Sequence, residues 1–89
     1  MLAVSDYEDM FRVCTDSEIR QFAEQALAVS SVLRSRTHNV KFVPFETQAA
    51  LNTNMRVLSA LARALRGRNM PIHKRVVAAL SSNINLFHK

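Results

Sequence analysis

The stretch FETQAALNTNMRVLSALARALR, residues 45–66, decides the fold of this chain. Apolar residues recur through it close to a heptad seam, which is typical of a helix that packs against others: Leu51, Met55, Leu58, Leu61, Ala62 and Leu65. Pro44 suits a first helical turn, and Gly67 occupies the usual stop position. The sequence therefore predicts a long helix over residues 44–66.

A second long helix is predicted before it. Thr15-Asp16-Ser17-Glu18 fits a capping box, in which the first and last side chains satisfy each other's backbone N–H groups. Apolar residues follow every three or four positions from Ile19 to Leu33. This spacing predicts a helix over residues 15–34.

The two ends of the chain are less strongly patterned. Pro71 is a suitable first residue for a third, shorter helix, which is predicted over residues 71–82. Residues 1–14 are expected to be flexible or to form a short helix.

The segment between the two long helices breaks the helical pattern. Residues 40–43 alternate like a short extended piece. Phe42 and Phe45 flank Pro44 there and are expected to cover one end of the helical bundle, with stacking on nucleic-acid bases as the alternative.

The composition indicates one small helical domain. The chain has 89 residues, 48% of them hydrophobic, with one glycine and two prolines, and a chain of this length rarely divides into two domains. We predict an all-α fold, a helical hairpin of two long helices followed by a short third helix. Leu27, Val32 and Val57 widen the apolar faces of the long helices, so we expect two copies to form an antiparallel four-helix bundle.

The charges are divided between the two parts of the chain. All seven acidic residues lie within the first 46 residues, beside five basic ones, whereas the remainder holds seven basic residues and no acid. The net charge is +5. A basic surface separated in this way usually faces a polyanion.

A polar stripe on the 44–66 helix gathers part of the positive charge. Its members advance by three or four residues and so share one helix face: Gln48, Asn52, Arg56, Ser59, Arg63 and Arg66. An ordinary solvated face mixes acids with bases, because such pairs stabilise a helix by roughly 0.2–0.5 kcal/mol each. This stripe has no acid, and the planar fork of arginine suits phosphate. The stripe therefore predicts nucleic-acid binding.

A second basic cluster is expected to extend the same track. Arg68 follows the long helix, and Lys74 and Arg75 lie in the first turn of the third helix. Cations in a first turn oppose the helix dipole, so they are slightly unfavourable there without an anionic partner.

The position of the arginines favours double-stranded RNA over DNA. A helix that reads the DNA major groove does so near its N-terminus, whereas these arginines lie in the middle and C-terminal half. A rod of roughly 30 Å can meet phosphates and sugars along an A-form duplex without reading sequence.

No pattern indicates catalysis or metal binding. His38, His73 and His88 lack metal-ligand spacing, and Cys14 has no histidine nearby. The chain has no glycine-rich phosphate loop, no paired-carboxylate arrangement and no nucleophile elbow. We therefore predict that it is not an enzyme and has no catalytic residue, metal, cofactor or small-molecule substrate.

The sequence predicts a soluble, cytoplasmic protein without a membrane partner. A single cysteine cannot form an internal disulfide, which is typical of a reducing compartment. Asp6, Glu8 and Asp9 come too early for the apolar core of a secretory signal. No apolar run approaches the ~18 residues of a membrane span.

The layout of the helices resembles the small RNA-silencing suppressors of nodaviruses. Arg56 and Arg63, seven residues apart, match a basic pair in that family's RNA-facing helix, and Val76–Leu80 is similar to its short third helix. The likeness spans about residues 15–82. It implies an all-α homodimer in the host cytoplasm that lies along double-stranded RNA and shields it from Dicer-type processing, with Arg56 and Arg63 in contact with RNA.

Two other functions fit the same residues. A DNA-binding transcriptional regulator would prefer a defined DNA site over random duplex. A basic helical adaptor would dock an acidic protein partner and would not retain nucleic acid.

Overall fold

The computed structural model describes the backbone of residues 2–38 and 40–87, and the side chains of that part as far as residue 83. It contains four helices: α1 (Val4–Arg12), α2 (Asp16–Thr37), α3 (Phe45–Leu65) and α4 (Ile72–Phe87). All regular secondary structure in the described residues is helical. The predicted all-α class is confirmed.

α2 begins at the predicted capping box. The Glu18 carboxylate accepts a hydrogen bond from the Thr15 N–H at 2.8 Å, and the Thr15 hydroxyl accepts one from the Glu18 N–H at 3.2 Å. The bond from the Thr15 backbone lowers the pKa of Glu18. The helix continues to Thr37, three residues past the predicted limit at 34, and the Thr37 hydroxyl donates to the Leu33 carbonyl at 2.9 Å.

α3 is the central helix of the molecule. It contacts α1, α2 and α4, and its buried residues form a wide face: Leu51, Asn54, Leu58, Ala60, Leu61, Ala64 and Leu65. Pro44 is the N-cap residue just before the first turn, so the helix begins one residue after the predicted start at 44. After the last turn Gly67 has a φ of 88°, in the left-handed region that suits glycine.

Of the two outer helices, α4 extends past its predicted end, and α1 is the short helix that was one of the two expectations for residues 1–14. α4 was predicted over residues 71–82, but it runs on to Phe87. α1 is a helix of nine residues, and the Asp6 carboxylate accepts a hydrogen bond from the Ala3 N–H at its start, at 2.9 Å. Phe11 of α1 is almost completely buried in the core.

α1 and α4 lie on opposite faces of the α2–α3 hairpin. The Phe11 ring of α1 lies 5.4 Å from the Phe22 ring, centre to centre. Arg75 of α4 pairs with Glu24 at 3.0 Å. Phe22 and Glu24 are two residues apart and therefore point to nearly opposite sides of α2. A single chain thus forms its own four-helix arrangement, in which α4 covers one face of the hairpin and the shorter α1 covers part of the other.

The connection between α2 and α3 does not cover the end of the bundle. Residues 40–44 contain a bend and no strand. Phe42 and Phe45 are both more than four-fifths exposed. The expectation that these two rings cover one end of the bundle is therefore wrong, because both rings remain in solvent.

A buried polar chain ties three helices together. Ser30 Oγ of α2 donates to Asn83 Oδ1 of α4 at 3.3 Å, and Asn83 Nδ2 donates to Asn54 Oδ1 of α3 at 3.0 Å. Asn54 Nδ2 in turn donates to the Ala26 carbonyl at 3.1 Å. Hydrogen bonds need defined donors and acceptors, so this chain sets the register of α2, α3 and α4 more strictly than apolar contact alone.

Replacement of Asn54 by alanine is expected to lower the free energy of unfolding by about 1–3 kcal/mol, because it leaves the amide of Asn83 buried without its acceptor. Urea denaturation measures this change. The exposed Asn52→Ala is the matched control and should cost less than about 0.5 kcal/mol. Because the two amides act together, Asn54→Leu with Asn83→Leu should cost less than the sum of the single changes. Equal costs for Asn54→Ala and Asn52→Ala would contradict the role of the buried chain.

Candidate nucleic-acid interface

The six stripe residues share the outer face of α3 and its C-terminal end, opposite the side that contacts α2. Asn52, Arg63 and Arg66 are exposed, whereas Gln48, Arg56 and Ser59 are half-buried. Gln48 Nε2 lies 3.5 Å from Asn52 Oδ1. We call these six residues the α3 stripe. The structure brings them together on one helix face, as their spacing predicts.

Arg56 lies in the middle of the stripe with one donor unsatisfied. Its Nη1 is buried and has no hydrogen-bond partner within the described part of the chain. A buried donor without an acceptor is unfavourable by about 1–3 kcal/mol. Arg56 would therefore gain by turning toward an anion, because no intramolecular bond at that nitrogen has to be broken first.

One carboxylate reaches the stripe from another helix. Glu8 Oε1 of α1 lies 3.7 Å from Arg63 Nη1, and the other oxygen of Glu8 is held more closely by Arg12, within α1. The hydrogen bond from Arg12 is the largest cause of a lowered pKa at Glu8, with a smaller contribution from the charge of Arg63. Arg63 is thus partly compensated, although its side chain remains exposed.

The Arg68 side chain points inward, toward the corner between α1 and α2. Its Nη1 donates to Asp16 Oδ1 at 2.8 Å. Its Nη2 is within hydrogen-bond distance of three backbone carbonyls at the C-terminal end of α1 and just after it, those of Phe11, Arg12 and Cys14, at 3.4, 3.2 and 3.0 Å. The side chain is only 20% exposed. Arg68 therefore holds the corner between α1 and α2 and does not extend the stripe.

The two cations of α4 also stand apart from the stripe. Arg75 pairs with Glu24 of α2, on the side of α4 that faces α2. Lys74 is exposed at the start of α4. The predicted cluster of Arg68, Lys74 and Arg75 therefore does not extend the α3 stripe, because Arg68 and Arg75 pair with acids of α2 and line a cleft beside that helix.

An open cleft of about 590 Å³ lies between the start of α2 and the turn that joins α3 to α4. Its charged residues already compensate one another, since Arg68 pairs with Asp16 and Arg75 pairs with Glu24. Arg20 also lines the cleft, so the lining carries one more cation than it has acids.

Sequence reasoning missed the contribution of α1 to this surface. Val4, Tyr7 and Phe11 recur at helical spacing and pack on the core, a signal that was visible in the sequence but short. That signal places Glu8 next to a buried face. It does not show that α3, rather than α2, is the helix on which α1 packs.

The described part of the chain contains no cluster of metal-binding side chains. Within the described residues no three histidine, cysteine or acidic side chains lie close enough together to hold a metal ion, and His88 lies outside those residues. No helix in the described part of the chain is long and apolar enough to cross a membrane.

Replacement of Arg68 by alanine is expected to destabilise the fold by about 2 kcal/mol, because it removes partly buried hydrogen bonds and leaves their carbonyls without this donor. Arg66→Ala, two residues away and exposed, is the control and should leave the melting temperature almost unchanged. Thermal denaturation followed by circular dichroism distinguishes the two variants. Equal melting temperatures would show that Arg68 does not hold the corner between α1 and α2.

The chain matches no model of a known protein family, no curated protein sequence and no solved protein structure.

Proposed function

We propose that this chain binds double-stranded RNA, independently of sequence, through the α3 stripe. The observation that carries the proposal is a face of one helix that bears three arginines and no acid of its own. Arg56 has a donor with no partner among the described residues, and Arg63 and Arg66 are exposed. Like charges so close together on a helix repel one another, and a phosphate backbone would remove that repulsion.

The length of the stripe suits a duplex. From Asn52 to Arg66 the helix advances by roughly 20 Å, at about 1.5 Å per residue. Arginines repeated along that length can contact successive phosphates, while Asn52 and Ser59 can bond phosphate oxygens or ribose hydroxyls. None of these contacts reads a base edge, so the proposed binding depends on the shape and charge of the duplex.

The proposed biological role is the shielding of duplex RNA in the cytoplasm, with suppression of RNA silencing as its result. It follows from the resemblance of the helix layout to the nodavirus suppressors and requires no catalytic residue. A protein bound along the phosphates of a duplex blocks the access of a processing nuclease to that duplex.

The proposal also includes a homodimer. The proposed contact differs from the predicted pairing of two hairpins into one four-helix bundle, because other helices lie on the faces of each hairpin. α4 covers one face of the α2–α3 hairpin, and α1 covers part of the other. Leu27 packs against the core and is half-buried, whereas Val32 is exposed, so the two do not share one free face. A second copy would therefore approach along α2, leaving the α3 stripe open.

The double variant Arg56→Ala with Arg63→Ala is expected to weaken binding of duplex RNA by about tenfold or more, because two charge-assisted contacts are lost. The dependence of log affinity on log salt should fall by about one unit for each lost phosphate contact. A gel-shift titration at two salt concentrations measures both quantities.

A matched variant, Arg20→Ala with Arg34→Ala, removes the same charge from α2 and should change affinity little. Equal losses in the two double variants would contradict a specific role for the α3 stripe. Competition between RNA and DNA duplexes of equal length tests the choice of nucleic acid. A preference for one DNA sequence would favour a transcriptional regulator, and retention of neither would favour a protein adaptor.

Removal of the carboxylate beside the stripe is expected to strengthen RNA binding. Glu8→Gln should raise affinity by about two- to fivefold, because Arg63 loses its intramolecular partner and the local charge becomes more positive. Asp9→Asn, an exposed neighbour on α1, changes the net charge equally and is the control. If both variants gain equally, the effect is one of overall charge and not of the Glu8–Arg63 pair.

A further inference from the structure

α2 carries two heptad seams side by side. The buried seam is Ile19, Ala23, Ala26, Ser30, Leu33 and Thr37. A second series, one residue earlier at every position, has the same spacing of four and three: Glu18, Phe22, Gln25, Val29, Val32 and Arg36. All six of its members are exposed. We call this series the outer seam. The buried seam builds the fold. In the outer seam, Phe22 packs at one edge against Phe11 of α1, whereas Val29 and Val32 remain on the open side of α2.

The outer seam is apolar in its middle and charged at its ends. Phe22, Val29 and Val32 are 39%, 48% and 50% exposed. Phe22 and Val29 also line an open groove of about 240 Å³, together with Thr53 and Val57 of α3. Knobs from a facing helix need such a groove in order to pack.

The outer seam is self-complementary when two copies of α2 pack antiparallel. If two α2 helices cross antiparallel about a two-fold axis at position 27, Glu18 faces Arg36, Phe22 faces Val32, and Gln25 faces Val29. A parallel pair would instead place Glu18 against Glu18 and Arg36 against Arg36. Charge therefore favours the antiparallel orientation, and a two-fold axis lets one surface serve both copies.

We infer that the outer seam is the surface on which two copies of this chain meet, α2 against α2 and antiparallel. This inference rests on the dimer of the proposed function and names its contact. The positions that border the seam on its solvent side are Gln21, Ala28 and Ser35, all exposed and uncharged. Two of these side chains are small, so the helices can approach closely, and none adds a like charge that would oppose the contact.

The existing bonds of Glu18 are compatible with this pairing. One carboxylate oxygen, Oε1, accepts the bond from the Thr15 N–H, and the second oxygen can accept from an arginine of the other copy. Arg36 is exposed at the opposite end of α2. The seam lies on α2 and the α3 stripe lies on the far side of the hairpin, so the dimer contact and RNA binding can be tested separately.

The test measures mass by sedimentation equilibrium over a range of protein concentrations. Glu18→Lys and Arg36→Glu are each expected to weaken self-association by about tenfold or more, because each reverses a pair that occurs twice in the dimer. A mixture of these two variants should dimerise again, since the introduced lysine of one copy then faces the introduced glutamate of the other, and the two unchanged residues still face each other.

A second pair of variants does not disturb the capping box. Val29→Lys places a charge in the apolar middle of the outer seam and should abolish the dimer. Ser31→Lys adds the same charge two residues further on, where the side chain lies beside α4, and should leave the dimer intact. Circular dichroism of each variant verifies that the helices have formed.

The outcomes separate this inference from the proposed function. If the chain still dimerises in Val29→Lys and in both charge-reversal variants, the outer seam is not the dimer contact, although the homodimer of the proposed function stands. A wild-type chain that stays monomeric at every concentration would overturn the seam and the dimer together. Duplex RNA binding by that monomer, lost in Arg56→Ala with Arg63→Ala, would still support the α3 stripe.

Discussion

The packing of α3 on three sides is the constraint on which the rest of the structure depends. A helix that contacts α1, α2 and α4 can present only a narrow strip to solvent, and side chains along that strip must point outward whatever their chemistry. The strip of α3 bears three arginines and no acid. Since burial on the other sides prevents α3 from rotating, the direction of these guanidinium groups is set by the core.

Arginines near one another in sequence have opposite roles here. Arg66 is exposed past the last turn of α3, whereas Arg68 is drawn inward by Asp16 and the carbonyls between α1 and α2. Gly67 lies between them with a positive φ and reverses the direction of the chain. A count of positive charge in this segment therefore overstates the charge that an external polyanion can reach.

Periodicity predicted most of the fold, because the long helices have clear apolar faces and recognisable ends. Their boundaries at Thr15 and Gly67 follow from local hydrogen bonding and backbone conformation, which sequence encodes directly. The bonds between Ser30, Asn54 and Asn83 could not be predicted, since they join residues far apart in the chain. The stripe was predictable because its residues follow one another along a single helix. The inward turn of Arg68 and the approach of Glu8 to Arg63 were not, because these contacts join residues far apart in the chain.

The bond network of Arg68 has a consequence for the order in which the chain folds. α1 packs on a helix that comes about 40 residues later, and the carbonyls at its C-terminal end are held by a side chain more than 50 residues away. During synthesis from the N-terminus, α1 therefore lacks most of its packing surface until α3 has left the ribosome, although Phe22 of α2 is made earlier. α1 is made before α2 and α3 but is thus among the last of the four helices to reach its final place, and its apolar side stays accessible to chaperones in the interval.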